Sequence, residues 1–193
     1  MYIVILGILI IAGFFFLETR LRSGNEAKSW QAGQFDQRST MFIVIAYIVC
    51  GAALISSSFL ERLSVGSLPA WIAWLGIVIA LAGFGLRVWS MSVLGKFYTR
   101  TLKVTGNQSI VRAGPYRFIR HPGYLGSILI WSGVAASTQN WIVLLIVLFV
   151  MFGVYIYRIQ SEEKMLISTN ADYADYRKQT WRLIPLFTLA EVA

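Results

Sequence analysis

Long apolar runs alternate with short polar stretches along this chain. Residues 2–17, 41–60, 69–93, 123–137 and 141–157 each hold at most one charged side chain. A bilayer core about 30 Å thick is spanned by about 20 apolar helical residues, so the pattern predicts about five transmembrane helices. The fourth and fifth runs are short and separated by Thr138, Gln139 and Asn140 alone. That spacing predicts an antiparallel helical hairpin across the membrane, because backbone polar groups inside lipid must be satisfied within helices. No basic residue precedes the first run and no small-residue cleavage pattern follows it, so it reads as a helix rather than a secretory leader. The expected architecture is an all-α integral membrane protein forming one membrane domain over residues 1–193.

Composition agrees. Hydrophobic residues make up 57% of the 193 residues and charged residues 13%, against roughly a quarter charged in soluble domains. The 17 Lys and Arg are unevenly spread. Arg20, Arg22, Lys28 and Arg38 lie in the first loop. Lys96, Arg100, Lys103, Arg112, Arg117 and Arg120 lie in the third, and Arg158, Lys164, Arg177, Lys178 and Arg182 follow the last run. The second loop holds Arg62, Arg87 lies within a helix, and the fourth loop has no basic residue. The positive-inside bias puts the first loop, third loop and tail in the cytoplasm and the N-terminus outside. A formal charge of +8 invites a nucleic-acid reading, but the basic groups flank membrane helices and the polar segments are too short for a binding module; anionic lipid headgroups are the expected partners.

Aromatic and small residues fill in the bundle. Trp71, Trp74 and Trp141 suit the outer interface, and Trp89, Tyr155 and Tyr157 the inner one. Gly76, Gly83, Gly85, Gly126 and Gly133 interrupt the apolar runs where missing side chains let helices approach. Cys50 is the single cysteine, which excludes an intrachain disulfide and a cysteine cluster, and no metal site is expected. Residues 23–39 read as a polar loop, with a short amphipathic piece at most and nothing that specifies chemistry.

Candidate chemistry concentrates where the third loop meets the fourth helix. That loop has six basic and no acidic residues. Turn signals at Thr105-Gly106-Asn107 and Ala113-Gly114-Pro115 bracket Gln108, Ser109, Ile110 and Val111, an extended-looking stretch able to offer backbone donors and acceptors to a flat heterocycle. The chain's one histidine, His121, fits an N-cap with Pro122 in the first turn. Free N–H groups at that helix end would attract a carboxylate or phosphate. Beyond the fifth run, Arg158 and Glu162 share a helix face, with Arg158 near membrane depth and Glu162 suited to a cationic partner. Glu163 points about 100° away and is expected to be solvated.

At these residues the chain resembles the isoprenylcysteine carboxyl methyltransferase family, itself similar to the membrane phospholipid N-methyltransferases. The resemblance runs over about 87–185. It is strongest in Gly114-Pro115-Tyr116 and Arg120-His121-Pro122-Gly123-Tyr124-Leu125-Gly126, and resumes at Arg158, Glu162-Glu163, Tyr173, Tyr176, Thr180, Arg182 and Pro185. The resemblance implies a cytoplasmic S-adenosylmethionine pocket. In it Gln108, Ser109, Ile110 and Val111 would flank the adenosine part with Tyr116 packing nearby. His121, Pro122, Gly123 and Tyr124 would hold the methionine part, and Glu162 another polar group. Thr101 is a looser match to a further contact. Arg158 would face the acceptor, an isoprenoid-like or other small lipophilic or prenylated molecule entering sideways from the bilayer. A carboxylate acceptor is already ionised at neutral pH and needs no general base. The tail departs from the family pattern, with Glu162-Glu163-Lys164 in place of a longer acidic run and Thr169-Asn170 in place of an aromatic-glycine pair. That difference bears on the acceptor more than on the cofactor. Phospholipid N-methylation and thiol S-methylation are the alternative enzymatic readings, a lipid-binding membrane scaffold the non-enzymatic one, and a sterol reductase would require a nicotinamide cofactor instead.

Overall fold

The structure is a computed structural model and describes residues 2–21, 35–95 and 110–184. Its elements are α1 (Tyr2–Leu21), α2 (Ser39–Arg62), α3 (Ala70–Leu94), a short 3₁₀ turn (Gly114–Arg117), α4 (Pro122–Ser137), α5 (Trp141–Thr169) and α6 (Tyr173–Gln179). The five expected helices are all present. Four of them, α1, α2, α3 and α5, are long and apolar enough to cross a membrane. At about 1.5 Å per residue the sixteen-residue α4 reaches about 24 Å, short of the hydrocarbon thickness. It is sheathed instead: α1, α3 and α5 pack around it, and every residue from Gly126 to Ser137 except Leu129 is buried.

The seam between α3 and α4 is made of small residues. Ala73, Gly76, Ala80 and Gly83 recur on the buried face of α3 at helical spacing, opposite Gly126 and Gly133 of α4. A Cβ at Gly83 would stand 2.7 Å from the Gly126 carbonyl oxygen, and one at Gly76 2.5 Å from that of Gly133. These contacts exclude any side chain, so the backbones touch, as small-residue packing in membranes requires. Gly85 departs from the expectation: it is exposed and has nothing within 4 Å of its Cβ position, because two residues' rotation of about 200° carries it to the opposite face from Gly83.

The hairpin between α4 and α5 forms as expected, with Asn140 as its hinge. Asn140 Oδ1 accepts from the backbone N–H of Ile142 (3.0 Å) and Val143 (3.2 Å), capping α5. Its Nδ2 donates to Val65 O at 2.7 Å, tying the turn to the α2–α3 connection. Of the expected inner-interface anchors, Trp89 is exposed and Tyr157 donates to Gln37 O at 3.0 Å. Tyr155 is a correction. It lies in the core, its hydroxyl paired with that of Tyr47 at 2.8 Å, because its face of α5 turns toward α2 and α4 rather than toward lipid.

Candidate functional site

The site is built where α4 begins, where α5 emerges beyond its apolar run, and where the chain after α6 returns. Pro122 starts α4 with His121 at the N-cap position, as the sequence predicts. The cap itself differs from expectation: the His121 side chain makes no capping bond. Its backbone N–H donates to Arg182 O (3.3 Å), while Tyr124 N and Leu125 N both donate to His121 O. Pro122 has no N–H. The first-turn amide left to a ligand, among the described residues, is therefore that of Gly123.

The returning tail lies along the segment before α4 in short parallel register. Trp181 N donates to Phe118 O (2.9 Å) and Arg120 N donates to Trp181 O (2.7 Å). Arg120 then secures α6 from below, donating through Nη1 to Arg177 O at 2.9 Å and to Thr180 O. Tyr176 OH donates to Tyr116 O at 2.7 Å, and the Arg112 guanidinium lies 5.6 Å above the Tyr176 ring. Burial pushes the Tyr176 hydroxyl up to about 12, so it stays a donor across the physiological range.

Glu163 is the centre of this assembly, and its expected solvation is wrong. The residue is 4% exposed. Its Oε1 accepts from Arg120 Nε at 2.9 Å and lies 3.2 Å from His121 Nε2. Oε2 accepts from Arg182 Nε (3.1 Å) and Nη2 (2.8 Å). Tyr173 OH donates to Oε1 at 3.4 Å. Burial, with Glu163 and Glu162 nearby, raises the Tyr173 hydroxyl well above its ordinary range. The tail that covers Glu163 brings Arg182, Arg120 reaches it from the segment before α4, and the two replace the lost water.

Glu162 has a different environment. Its side chain is a quarter exposed, Tyr124 OH donates to its Oε2 at 2.7 Å, and His121 Nδ1 lies 3.7 Å from the same oxygen. The His121 and Tyr124 rings stack at 5.6 Å, and Tyr124 stacks on Tyr155 at 5.0 Å. Arg158 Nε donates to Tyr124 OH at 3.3 Å. The shared face of Arg158 and Glu162 is thus bridged by a phenol from α4. Arg158 is buried, and its Nη1 donates to Asp36 Oδ1 (2.7 Å), Ser39 Oγ (2.7 Å) and Thr40 Oγ1 (3.0 Å). Asp36 is itself buried and accepts from Thr40 N and Oγ1 at the start of α2. The loop that reads as chemically silent therefore supplies the counter-ion of Arg158.

His121, Pro122, Gly123, Tyr124, Arg158 and Glu162 are thus brought into one cluster. Ile110 and Val111 are half-buried without regular structure, and Tyr116 sits in the 3₁₀ turn beneath α6. Gln108, Ser109, Thr101 and Pro185 lie outside the described residues. Sequence reasoning missed Asp36, Glu163 in its buried role, and an ion pair between Glu18 of α1 and Arg87 of α3. A readable signal exists for two of them: Asp36 precedes Ser39 and Thr40 as an N-terminal capping acid does, and Arg87 is a charge inside an apolar helix. Among the described residues no group of His, Cys, Asp and Glu is arranged to hold a metal ion.

Comparison with known proteins places this cluster inside a shared region. The profile of the family described as phospholipid methyltransferase matches residues 71–172. The protein-S-isoprenylcysteine O-methyltransferase of Saccharomyces cerevisiae is 30% identical over 114 residues, covering 58% of this chain and 48% of the relative. The cobalt-zinc-cadmium resistance protein CzcN of Cupriavidus metallidurans is 26% identical over 121 residues, covering 62% and 53%. Among solved structures, the eukaryotic intramembrane Ras methyltransferase ICMT shares the fold with a TM-score of 0.60 at 22% identity, over 77% of this chain and 52% of that one. The chain spans about half the length of each of these three proteins. With its site-bearing helices α3 to α5 inside a match that takes in more than half the sequence, the chain belongs to the phospholipid methyltransferase family, alongside the isoprenylcysteine carboxyl methyltransferases that it resembles.

Proposed function

We propose that this protein is an S-adenosylmethionine-dependent membrane methyltransferase that methylates a carboxylate on an isoprenoid-like or other small lipophilic acceptor. The observation that carries the reading is the chain of contacts His121, Glu162, Tyr124, Arg158, which joins the start of α4 to the emerging end of α5. The residues fit the cofactor. Glu162 is the acid of the cluster with open surface, suited to a cationic group, while Glu163 is saturated by two arginines. The Gly123 amide adds a donor for the methionine carboxylate. S-adenosylmethionine, when bound, supplies an electrophilic methyl group on a cationic sulfur.

The protein's own groups orient and desolvate. Tyr124 holds Glu162 from one side and accepts from Arg158 on the other, so cofactor and acceptor positions are coupled through one hydroxyl. Arg158 is fixed by Asp36, Ser39 and Thr40 and presents a planar donor group to an acceptor headgroup. Because the acceptor carboxylate is ionised at neutral pH, positioning and exclusion of water supply the catalysis. The charge distribution supports a cytoplasmic site with the N-terminus outside.

N-methylation of a lipid amine is a second reading, and Asp36 favours it: a carboxylate 2.7 Å from Arg158 offsets the charge that would draw an anionic acceptor. Incubating membranes that carry the protein with methyl-labelled S-adenosylmethionine decides between them. The expected result is lipid-extractable label that alkali releases as methanol. Alkali-stable label on nitrogen or sulfur overturns the carboxyl assignment, and the absence of label in lipids and prenylated peptides overturns the enzymatic reading.

A further inference from the structure

Helix α1 lies wholly before the region shared with the family, yet it contributes a charged side chain to the bundle interior. Glu18 of α1 accepts from Arg87 Nη2 of α3, both residues being at least nine-tenths buried. Phe14, one turn earlier on α1, lies 5.6 Å beneath the same guanidinium. Arg87 Nη1 donates at 2.8 Å to the carbonyl oxygen of Gly123. Gly123 belongs to the first turn of α4, beside His121 and Tyr124.

The small-residue seam is what permits this reach. A Cβ at Gly126 would come within 2.9 Å of the Arg87 backbone nitrogen, so α4 sits directly on the α3 backbone at that level and the Arg87 side chain extends under the next turn. A buried ion pair adds little net stability over an apolar pair of the same volume, since two charges must be desolvated. The pair's second contact, to a backbone atom of the candidate cofactor cluster, gives it a different role.

We propose that Arg87, held in place by Glu18, is a positioning residue that fixes the first turn of α4 from within the membrane, so that α1 is a working part of the site. The inference rests on the cofactor reading above. Two guanidinium nitrogens serve two partners. A lysine, with one nitrogen on a shorter stem, serves one of them.

The test uses the full chain purified in detergent, with S-adenosylmethionine affinity from calorimetry and a thermal melt on each variant. Arg87→Lys is expected to keep most of the melting temperature and weaken S-adenosylmethionine binding by about 10-fold, the loss of one charge-assisted hydrogen bond. The exchange Glu18→Arg with Arg87→Glu is expected to restore the melt relative to Arg87→Glu alone and leave affinity low, because a carboxylate cannot donate to Gly123 O. Affinity restored together with the melt overturns positioning and leaves a structural ion pair. If the exchanged protein does not fold, Arg87→Lys decides alone, and affinity within twofold of the unaltered protein overturns the proposal. Failure of the unaltered protein to bind S-adenosylmethionine is a distinct result, which removes the cofactor reading itself.

Discussion

Glu162 and Glu163 are adjacent in sequence and opposite in circumstance. One is a quarter open, hydrogen-bonded by the Tyr124 phenol with His121 beside it; the other is closed over by the tail and bound to Arg120 and Arg182. Their substitutions should therefore separate cleanly. Glu163→Gln leaves two arginines without their counter-ion and is expected to cost about 3 kcal/mol of stability, the scale for breaking a buried pair, read as a lowered melting temperature. Glu162→Gln should leave the melt nearly unchanged and weaken S-adenosylmethionine about 10- to 150-fold, the equivalent of one charge-assisted hydrogen bond; affinity unchanged in this variant and in His121→Ala would remove both from the cofactor site. Arg158→Ala is expected to depress turnover and raise the acceptor KM while S-adenosylmethionine affinity stays within about twofold. It also strands the buried Asp36 carboxylate, so the melt falls too. Adding Asp36→Asn to Arg158→Ala removes the stranded charge and separates that stability loss from the kinetics: normal acceptor kinetics in Arg158→Ala would reduce the arginine to a structural partner of Asp36.

What was legible at this scale follows the range of each interaction. The start of α4 at His121 and Pro122 is legible because a proline-opened helix end is decided by neighbours in sequence. Arg158 with Asp36, Arg87 with Glu18 and Arg120 with Glu163 are separated by 122, 69 and 43 residues. Periodicity places a charge on a helix face but does not say which distant segment will cover it. Glu163 shows the limit: its face is exposed on an isolated helix and is buried here by a tail that folds back.

At the scale of elements, the α3–α4 seam explains why some interruptions of an apolar run are obligatory and others incidental. Five glycines look alike in the sequence; four line the contact and Gly85 does not. Gly83→Ala places a methyl against the Gly126 carbonyl and is expected to cost about 1–3 kcal/mol, as overpacking does. Gly85→Ala, on the open face, should be neutral or gain up to about 1 kcal/mol from helix propensity. Equal losses in a denaturation series on the two variants would contradict the seam. The length of α5 matters as much. Its 29 residues extend about 44 Å, more than the hydrocarbon thickness, so its apolar part crosses the bilayer while its last turns carry Glu162 and Glu163 out beside the start of α4. Length was only partly evident in the sequence, where the apolar run ends at Tyr157 and the helix continues to Thr169 through polar residues stabilised by the tail.

The whole molecule is polarised. The α2–α3 connection and the α4–α5 turn meet at one end through Asn140, and the ion pairs, the 3₁₀ turn and α6 occupy the other. If the basic end is cytoplasmic, a cysteine replacing the exposed Ser67 should react with an impermeant thiol reagent on intact cells, and one replacing the exposed Lys178 should react only after permeabilisation. The reverse pattern would invert the protein. Cys50, fully buried, does not complicate the measurement.

Because α4 is too short to span alone and finds its surroundings in α1, α3 and α5, its residence in the bilayer depends in part on the one neighbour made after it, α5. The segment carries Ser127, Ser132 and Ser137 on buried faces, polar groups that lipid would not accommodate well. A ribosome that has released α4 but not α5 leaves a helix seated on α3 and α1 with its α5-facing side uncovered. Insertion of the two as a unit, through the three-residue hinge, is the route the architecture leaves open. A chain truncated after Thr138 should then leave α4 accessible to protease, whereas one extended through Thr169 should protect it. The dependence also makes assembly of the candidate site a late event in biogenesis, since Arg87 can seat the first turn of α4 early but Arg158, Glu162 and Glu163, the partners of Tyr124 and His121, arrive only with α5.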